Sequence, residues 1–151
     1  MISRLSLASA IAVFLFGSNA ALAMTDAECK AEWLRADAKR TGAVTEADAP
    51  RYFASLRVAS KTVEGGRLSE PSFLEHCKAG LFNKVSLDAG APLAGANSFT
   101  EAQAKDRALA AGFASVSALK KDDKGIWRGT ATEGAKNVNL SVDYKGNVVA
   151  N

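Results

Sequence analysis

The chain has one histidine, two cysteines and three prolines among its 151 residues. A single imidazole leaves no histidine cluster for a metal centre, and two cysteines exclude the paired Cys-x-x-Cys layout of a four-thiolate zinc site. Nor is there a basic stripe. Nineteen Lys and Arg are interleaved with sixteen Asp and Glu, so the charge pattern calls for neither nucleic acid nor an anionic membrane surface. Beyond residue 23 no apolar run approaches the roughly 20 residues needed to cross a bilayer. No nucleophile motif is evident, and the lone His76 has no recognisable partner for acid–base work. The expectation is a protein that is not an enzyme.

One hydrophobic run is present, at the start. "MISRLSLASAIAVFLFGSNAALA" places Arg4 ahead of an apolar stretch from Leu5 to Phe16, then Ala21-Leu22-Ala23. That three-part layout predicts a secretory signal peptide over residues 1–23, cleaved before Met24, with a core too short to span a membrane. Removing Arg4, the only charged residue of the segment, takes the formal charge from +3 to +2. The expected location is periplasmic or secreted, with no membrane association after cleavage. In such an oxidising compartment Cys29 and Cys77 are most simply a disulfide. The alternative is a thiol or zinc site built from Cys29, His76 and Cys77, for which no fourth ligand is evident.

The first half reads as helices. Thr25-x-x-Glu28 is a capping box, after which Cys29, Trp33 and Ala36 share one face. A second helix follows Thr45, beginning or bending near Ala49–Pro50 and carrying Tyr52, Phe53, Leu56 and Val58. A third opens at Ser69, carries Phe73, Leu74 and Cys77, and stops at Gly80. An internal repeat runs through this half: "GAVTEAD" from Gly42 matches "GRLSEPS" from Gly66, offset by 24 residues. Each copy offers a glycine for a tight loop, a branched apolar residue (Val44, Leu68) to bury beneath it, and a hydroxyl (Thr45, Ser69) to cap the outgoing helix.

"SLDAGAPLAGANS" then marks a small-residue linker. The expected organisation is a helical domain over 24–84, a linker over 85–98 and a second domain over 99–151. The second opens with the capping box Thr100-x-x-Gln103 on an alanine-rich helix ending at Gly112. Strands are expected at "VSALK" from Val116, "IWRGTAT" from Ile126 and "NVNLSVDY" from Asn137. The last alternates Val138, Leu140, Val142 and Tyr144 against Asn137, Asn139, Ser141 and Asp143. "KDDKG" and "EGAK" supply the turns. The fold class is therefore α+β, a helical half followed by one helix on a small antiparallel sheet.

The repeat resembles the EF-hand superfamily, whose 12-residue loop presents ligands at positions 1, 3, 5, 7, 9 and 12 with glycine at 6. Matched to it, loop one runs from Asp37 to Asp48, and the resemblance implies calcium candidates at Asp37, Thr41, Ala43 (through its carbonyl) and Asp48. Lys39 stands at position 3, where its ammonium would repel the ion, and Asp48 is shorter than the usual bidentate glutamate. Loop two, Lys61 to Ser72, has no carboxylate at positions 1, 3, 5 or 12. The expectation is a scaffold with no cofactor; calcium binding is the alternative.

The tail, from about Phe99 to Ala150, resembles the PepSY family of peptidase propeptides and related exported bacterial proteins. The residues that carry this are "VDYKGNV", Val142 to Val148, similar to the family's closing V-D-x-x-G-x-V turn, and Trp127 at an aromatic strand position. The resemblance implies a non-catalytic module that binds a protein partner outside the cytoplasm, an exported peptidase being the partner class it names.

Overall fold

Thr25 starts the first helix as its cap. Its hydroxyl accepts from Glu28 N at 3.3 Å, and Thr25 N donates to the Glu28 carboxylate at 2.7 Å, so two end-of-helix amides that lack intrahelical partners are satisfied reciprocally. In this computed structural model, which describes residues 23–83 and 90–151, that helix is α1, Asp26–Ala36. Residues 1–22 of the expected signal peptide and 85–89 of the expected linker lie outside the described residues. Among the described residues no helix is long and apolar enough to cross a membrane.

After α1 come β1 (Ala43–Thr45), α2 (Pro50–Val58), β2 (Arg67–Ser69) and α3 (Glu70–Lys78). Pro50 takes the first position of α2, where its missing N–H costs nothing and its fixed φ suits the helix. The two copies of the repeat meet. β1 and β2 pair antiparallel with Val44 opposite Leu68, and both side chains are fully buried. One expectation needs correcting. Ala49, not Thr45, is the N-cap of α2, and Ser69 caps α3 by position without a side-chain bond. Thr45 is held in β1, so its hydroxyl turns to Asp48 instead.

The core of this half is aromatic. Trp33, Tyr52 and Phe82 each lie about Phe73, with ring centroids 5.3, 4.7 and 4.7 Å away. Phe73 is fully buried, worth about 1.5–3 kcal/mol by transfer. The Cys29–Cys77 disulfide joins α1 to α3 beside this cluster.

The second half is α4 (Glu101–Ala110) on an antiparallel meander of β3 (Lys120–Lys121), β4 (Trp127–Glu133), β5 (Lys136–Val142) and β6 (Val148–Ala150), in that spatial order. Thr100 and Gln103 form the capping box. Ala104, Ala108 and Ala111 cluster with Val138, Leu140 and Val142 of β5, the small side chains allowing helix and sheet to approach closely. The molecule is thus α+β, with helices and two small antiparallel sheets.

The sheet departs from expectation in three places. Of "VSALK" only Lys120 pairs as a strand, together with Lys121 after it, because the chain before it meets β4 through isolated bonds, Ser117 N to Thr130 O and a bridge at Ala114–Thr132. The alternation of β5 stops at Leu140: Ser141, Val142 and Asp143 are all buried, Asp143 at 1% exposure, whereas Tyr144 is 37% exposed. Finally, β6 returns the chain antiparallel to β5, with Val148 opposite Val142.

The two halves touch. α2 packs beside α4, and Arg57 clamps the Asp106 carboxylate through Nε at 2.9 Å and Nη2 at 2.7 Å while its Nη1 meets Glu46 at 2.8 Å. Residues 93–99, ahead of α4, lie on the sheet. Leu93 N donates to Asp143, Gly95 N to Lys124 O, Lys121 Nζ to Asn97 O, and the Trp127 indole N–H to Phe99 O.

Candidate functional site in the Asp37 loop

The loop between α1 and β1 folds around its own carboxylates. Asp37 Oδ1 accepts from Thr41 N at 2.8 Å and Oδ2 from Gly42 N at 2.8 Å. Reaching both amides requires a sharp reversal, made with Arg40 at φ 53° and Gly42 at φ 77°; the glycine takes that left-handed conformation without steric cost. The Thr41 hydroxyl is 3.1 Å from the same Asp37 oxygen and 2.7 Å from Ala43 O. Its single proton serves one acceptor at a time.

Asp48 closes the other side. Its Oδ1 accepts from Lys39 Nζ at 2.8 Å, and its Oδ2 from the Thr45 hydroxyl at 2.6 Å and from Thr45 N at 3.2 Å. The Lys39 ammonium, followed by the Thr45 hydroxyl and amide, holds the Asp48 carboxyl far below the usual carboxylate range. The same contact raises Lys39. Asp37 is lowered chiefly by the Thr41 amide, with Gly42 N and the Thr41 hydroxyl adding to it against the opposing effect of burial. The four calcium candidates, Asp37, Thr41, Ala43 and Asp48, are therefore brought together around a cleft of about 110 Å³ that Asp37, Thr41 and Asp48 line. The Asp37 and Asp48 carboxylates already have loop donors, namely amides, hydroxyls and one ammonium, while the Thr41 hydroxyl is itself a donor to Asp37 or to Ala43 O. Among the described residues no group of three or more His, Cys, Asp and Glu is arranged to hold a metal ion.

Cys29 and Cys77 are bonded to each other and fully buried, so neither sulfur is a thiolate for exchange or ligation. His76 is half-buried with its ring edge-on to Phe82 at 6.4 Å. Trp33 is a core side chain and Trp127 is half-buried under Lys121, whose Nζ lies 5.3 Å from its ring centroid. Lys121 ends β3, and Asp122 opens the β3–β4 turn. The Asp122 carboxylate accepts from Lys124 N, Ile126 N and Arg128 Nε.

The residue that sequence reading placed on a solvent face and that matters most to the second half is Asp143. Its Oδ1 accepts from Lys145 N at 2.9 Å and Asn147 N at 3.0 Å; its Oδ2 accepts from Leu93 N at 3.2 Å and Asn147 Nδ2 at 3.0 Å. Burial pushes this carboxyl up, but the four donors outweigh it and the net shift is downward. Gly146 completes the turn at φ 86°, and a side chain there would strike the Arg107 guanidinium at 2.6 Å. The V-D-x-x-G-x-V pattern thus has a physical content: a buried acid that ties the β5–β6 turn to the segment entering α4. The chain matches no family model, no curated protein and no solved structure.

Proposed function

We propose that this chain is an exported, non-enzymatic protein-interaction module, an EF-hand-like scaffold that works without calcium joined to a PepSY-like domain. The observation that carries the reading is Lys39 Nζ on Asp48 Oδ1 at 2.8 Å. The ammonium serves as counter-cation to a carboxylate that a calcium loop would keep for the ion. The other lowered carboxylates support the same reading. Asp37, Asp122 and Asp143 are each held by backbone amides, which keeps them ionised and structural rather than poised near neutrality for proton transfer. A disulfide between α1 and α3 fits an oxidising compartment.

The partner class is an exported peptidase, which the module binds or inhibits. The test is direct. The oxidised protein is immobilised in the presence of a calcium chelator, a bound protein is recovered from an extracellular or periplasmic extract, and that protein is purified and re-bound. Saturable re-binding, and slowed peptide hydrolysis where the recovered protein is a peptidase, is the expected result. Re-binding that appears only with added calcium would return the reading to a calcium-dependent protein.

A further inference from the structure

We propose that the junction of α2 and α4 carries a carboxylate-binding pocket in which Arg107 is the recognising group. A cleft of about 210 Å³ opens there, lined by Arg57, Val58, Ser60, Phe99, Gln103, Asp106 and Arg107. Arg57 is committed: Asp106 takes its Nε and Nη2, and Glu46, outside the lining, takes its Nη1. Asp106 is neutralised by the same clamp. Arg107 is different. Its guanidinium carbon stands 4.2 Å from the centroid of the Phe99 ring, and the same guanidinium lies close to Gly146, where even one methyl group would collide with it. Among the described residues it has no carboxylate or carbonyl partner. A guanidinium stacked on an aromatic ring and set close to a glycine is partly ordered before any ligand arrives while its N–H groups carry no acceptor, which suits bidentate capture of a planar anion.

Two neutral donors stand beside it. The Gln103 side-chain oxygen is used by Thr100 N, which leaves its NH₂ to donate, and Gln103 lies one helical turn before Arg107 on the same face. Ser60, two residues past the end of α2, is in the left-handed region at φ 55°, an uncommon conformation for a residue with a side chain. With one uncompensated cation, the cleft suits a monoanion better than a phosphate carrying about two charges. Val58, 40% exposed, supplies an apolar rim. The ligand chemistry is a carboxylate next to a small apolar group, available from a peptide C-terminus or from a free monocarboxylic acid. This inference is independent of the proposed partner and of calcium.

The probes are N-acetyl-trialanine as free acid and as C-terminal amide, acetate, and inorganic phosphate. Each is titrated into the oxidised protein while the Arg107 side-chain N–H resonances are followed by NMR. The free acid is expected to shift them saturably and the amide not at all. A peptide acid that binds more tightly than acetate assigns the pocket to peptide C-termini, and equal affinities assign it to small acids. Arg107→Met should weaken the acid on the order of 10-fold or more, and Arg107→Lys should recover only part because the fork is lost. No response to any carboxylate, equal response to the amide, or preference for phosphate would overturn the proposal. The amide arm uses the unaltered protein, so it stands even if a variant misfolds.

Discussion

Asp143→Asn changes one atom's chemistry at nearly constant shape, and the structure says what that should do. The carboxylate has four donors pointing at it, two per oxygen. An amide retains one acceptor oxygen. Placed at Oδ1, it keeps Lys145 N and Asn147 N, but its NH₂ then confronts Leu93 N and Asn147 Nδ2, donor against donor. The opposite orientation keeps those two and loses the turn amides. Either way two hydrogen bonds to a side chain only 1% exposed are unmade. At about 1–3 kcal/mol for each buried donor left without a partner, partly offset by relaxation, the variant should lose about 2–4 kcal/mol. The assay is urea unfolding by circular dichroism, with amide hydrogen exchange at Leu93, Lys145 and Asn147 to place the loss. Moving the acid, in Asp143→Asn with Asn147→Asp, lets the new amide donate to the new carboxylate and should recover about 1 kcal/mol. The pH dependence has a definite sign. The folded-state pKa of Asp143 is below its unfolded value of about 3.9. Its contribution is therefore complete above that value and disappears as pH falls through the folded pKa; Asp143→Asn should lack this part of the acid sensitivity. A variant within about 0.5 kcal/mol of the parent, the range of an ordinary surface substitution, with unchanged exchange at Leu93, would refute the reasoning.

Three further outcomes are expected. Removing the disulfide, Cys29→Ala with Cys77→Ala, reopens a loop with a sequence separation of 48; chain entropy puts the loss at about 4 kcal/mol, and thermal melting that barely moves would contradict it. Lys39→Met should raise the Asp48 pKa, since Lys39 is the largest cause of its depression; carboxyl-carbon NMR titration measures this, and an unmoved midpoint would show that the pair does not form in solution. Gly125→Ala should destabilise by about 2 kcal/mol or more, because Gly125 sits at φ 75° and the new methyl would lie 2.0 Å from Gly95 O. Stability equal to the parent would mean that residues 93–99 do not lie on the β3–β4 turn.

The helix starts were legible because their signals are local. Thr25–Glu28 and Thr100–Gln103 need only residues within one turn, and the burial of Val44 and Leu68 follows from a repeat visible by eye, although their pairing across two short strands came only from the structure. The features that were missed are those in which a polar residue is satisfied from far away. Asp143 continues the polar side of β5 in sequence, yet one of its partners is Leu93 N, 50 residues distant. No periodicity reveals that, although an acid ahead of x-x-Gly after a strand does mark a turn. The short β6 was overlooked for a related reason: three residues cannot show alternation, and the strand is specified by the turn before it. Arg107 also gave no signal, because its surroundings come from Phe99 and from Gly146 in the β5–β6 turn. At the Asp37 loop, by contrast, the closeness of Asp37, Thr41, Ala43 and Lys39 follows from their nearness in sequence, and the structure adds that Lys39 reaches Asp48.

The most direct measurement is a calorimetric calcium titration of the oxidised protein from Met24 onward, with magnesium as the control and melting temperature recorded alongside. Loop one is closed by Lys39 and by its own amides, so no saturable heat and no calcium-dependent rise in melting temperature are expected. A saturable, calcium-specific signal that is lost in Asp37→Ala would contradict this: Lys39 would then leave Asp48 to the ion, and calcium would belong to the protein's function.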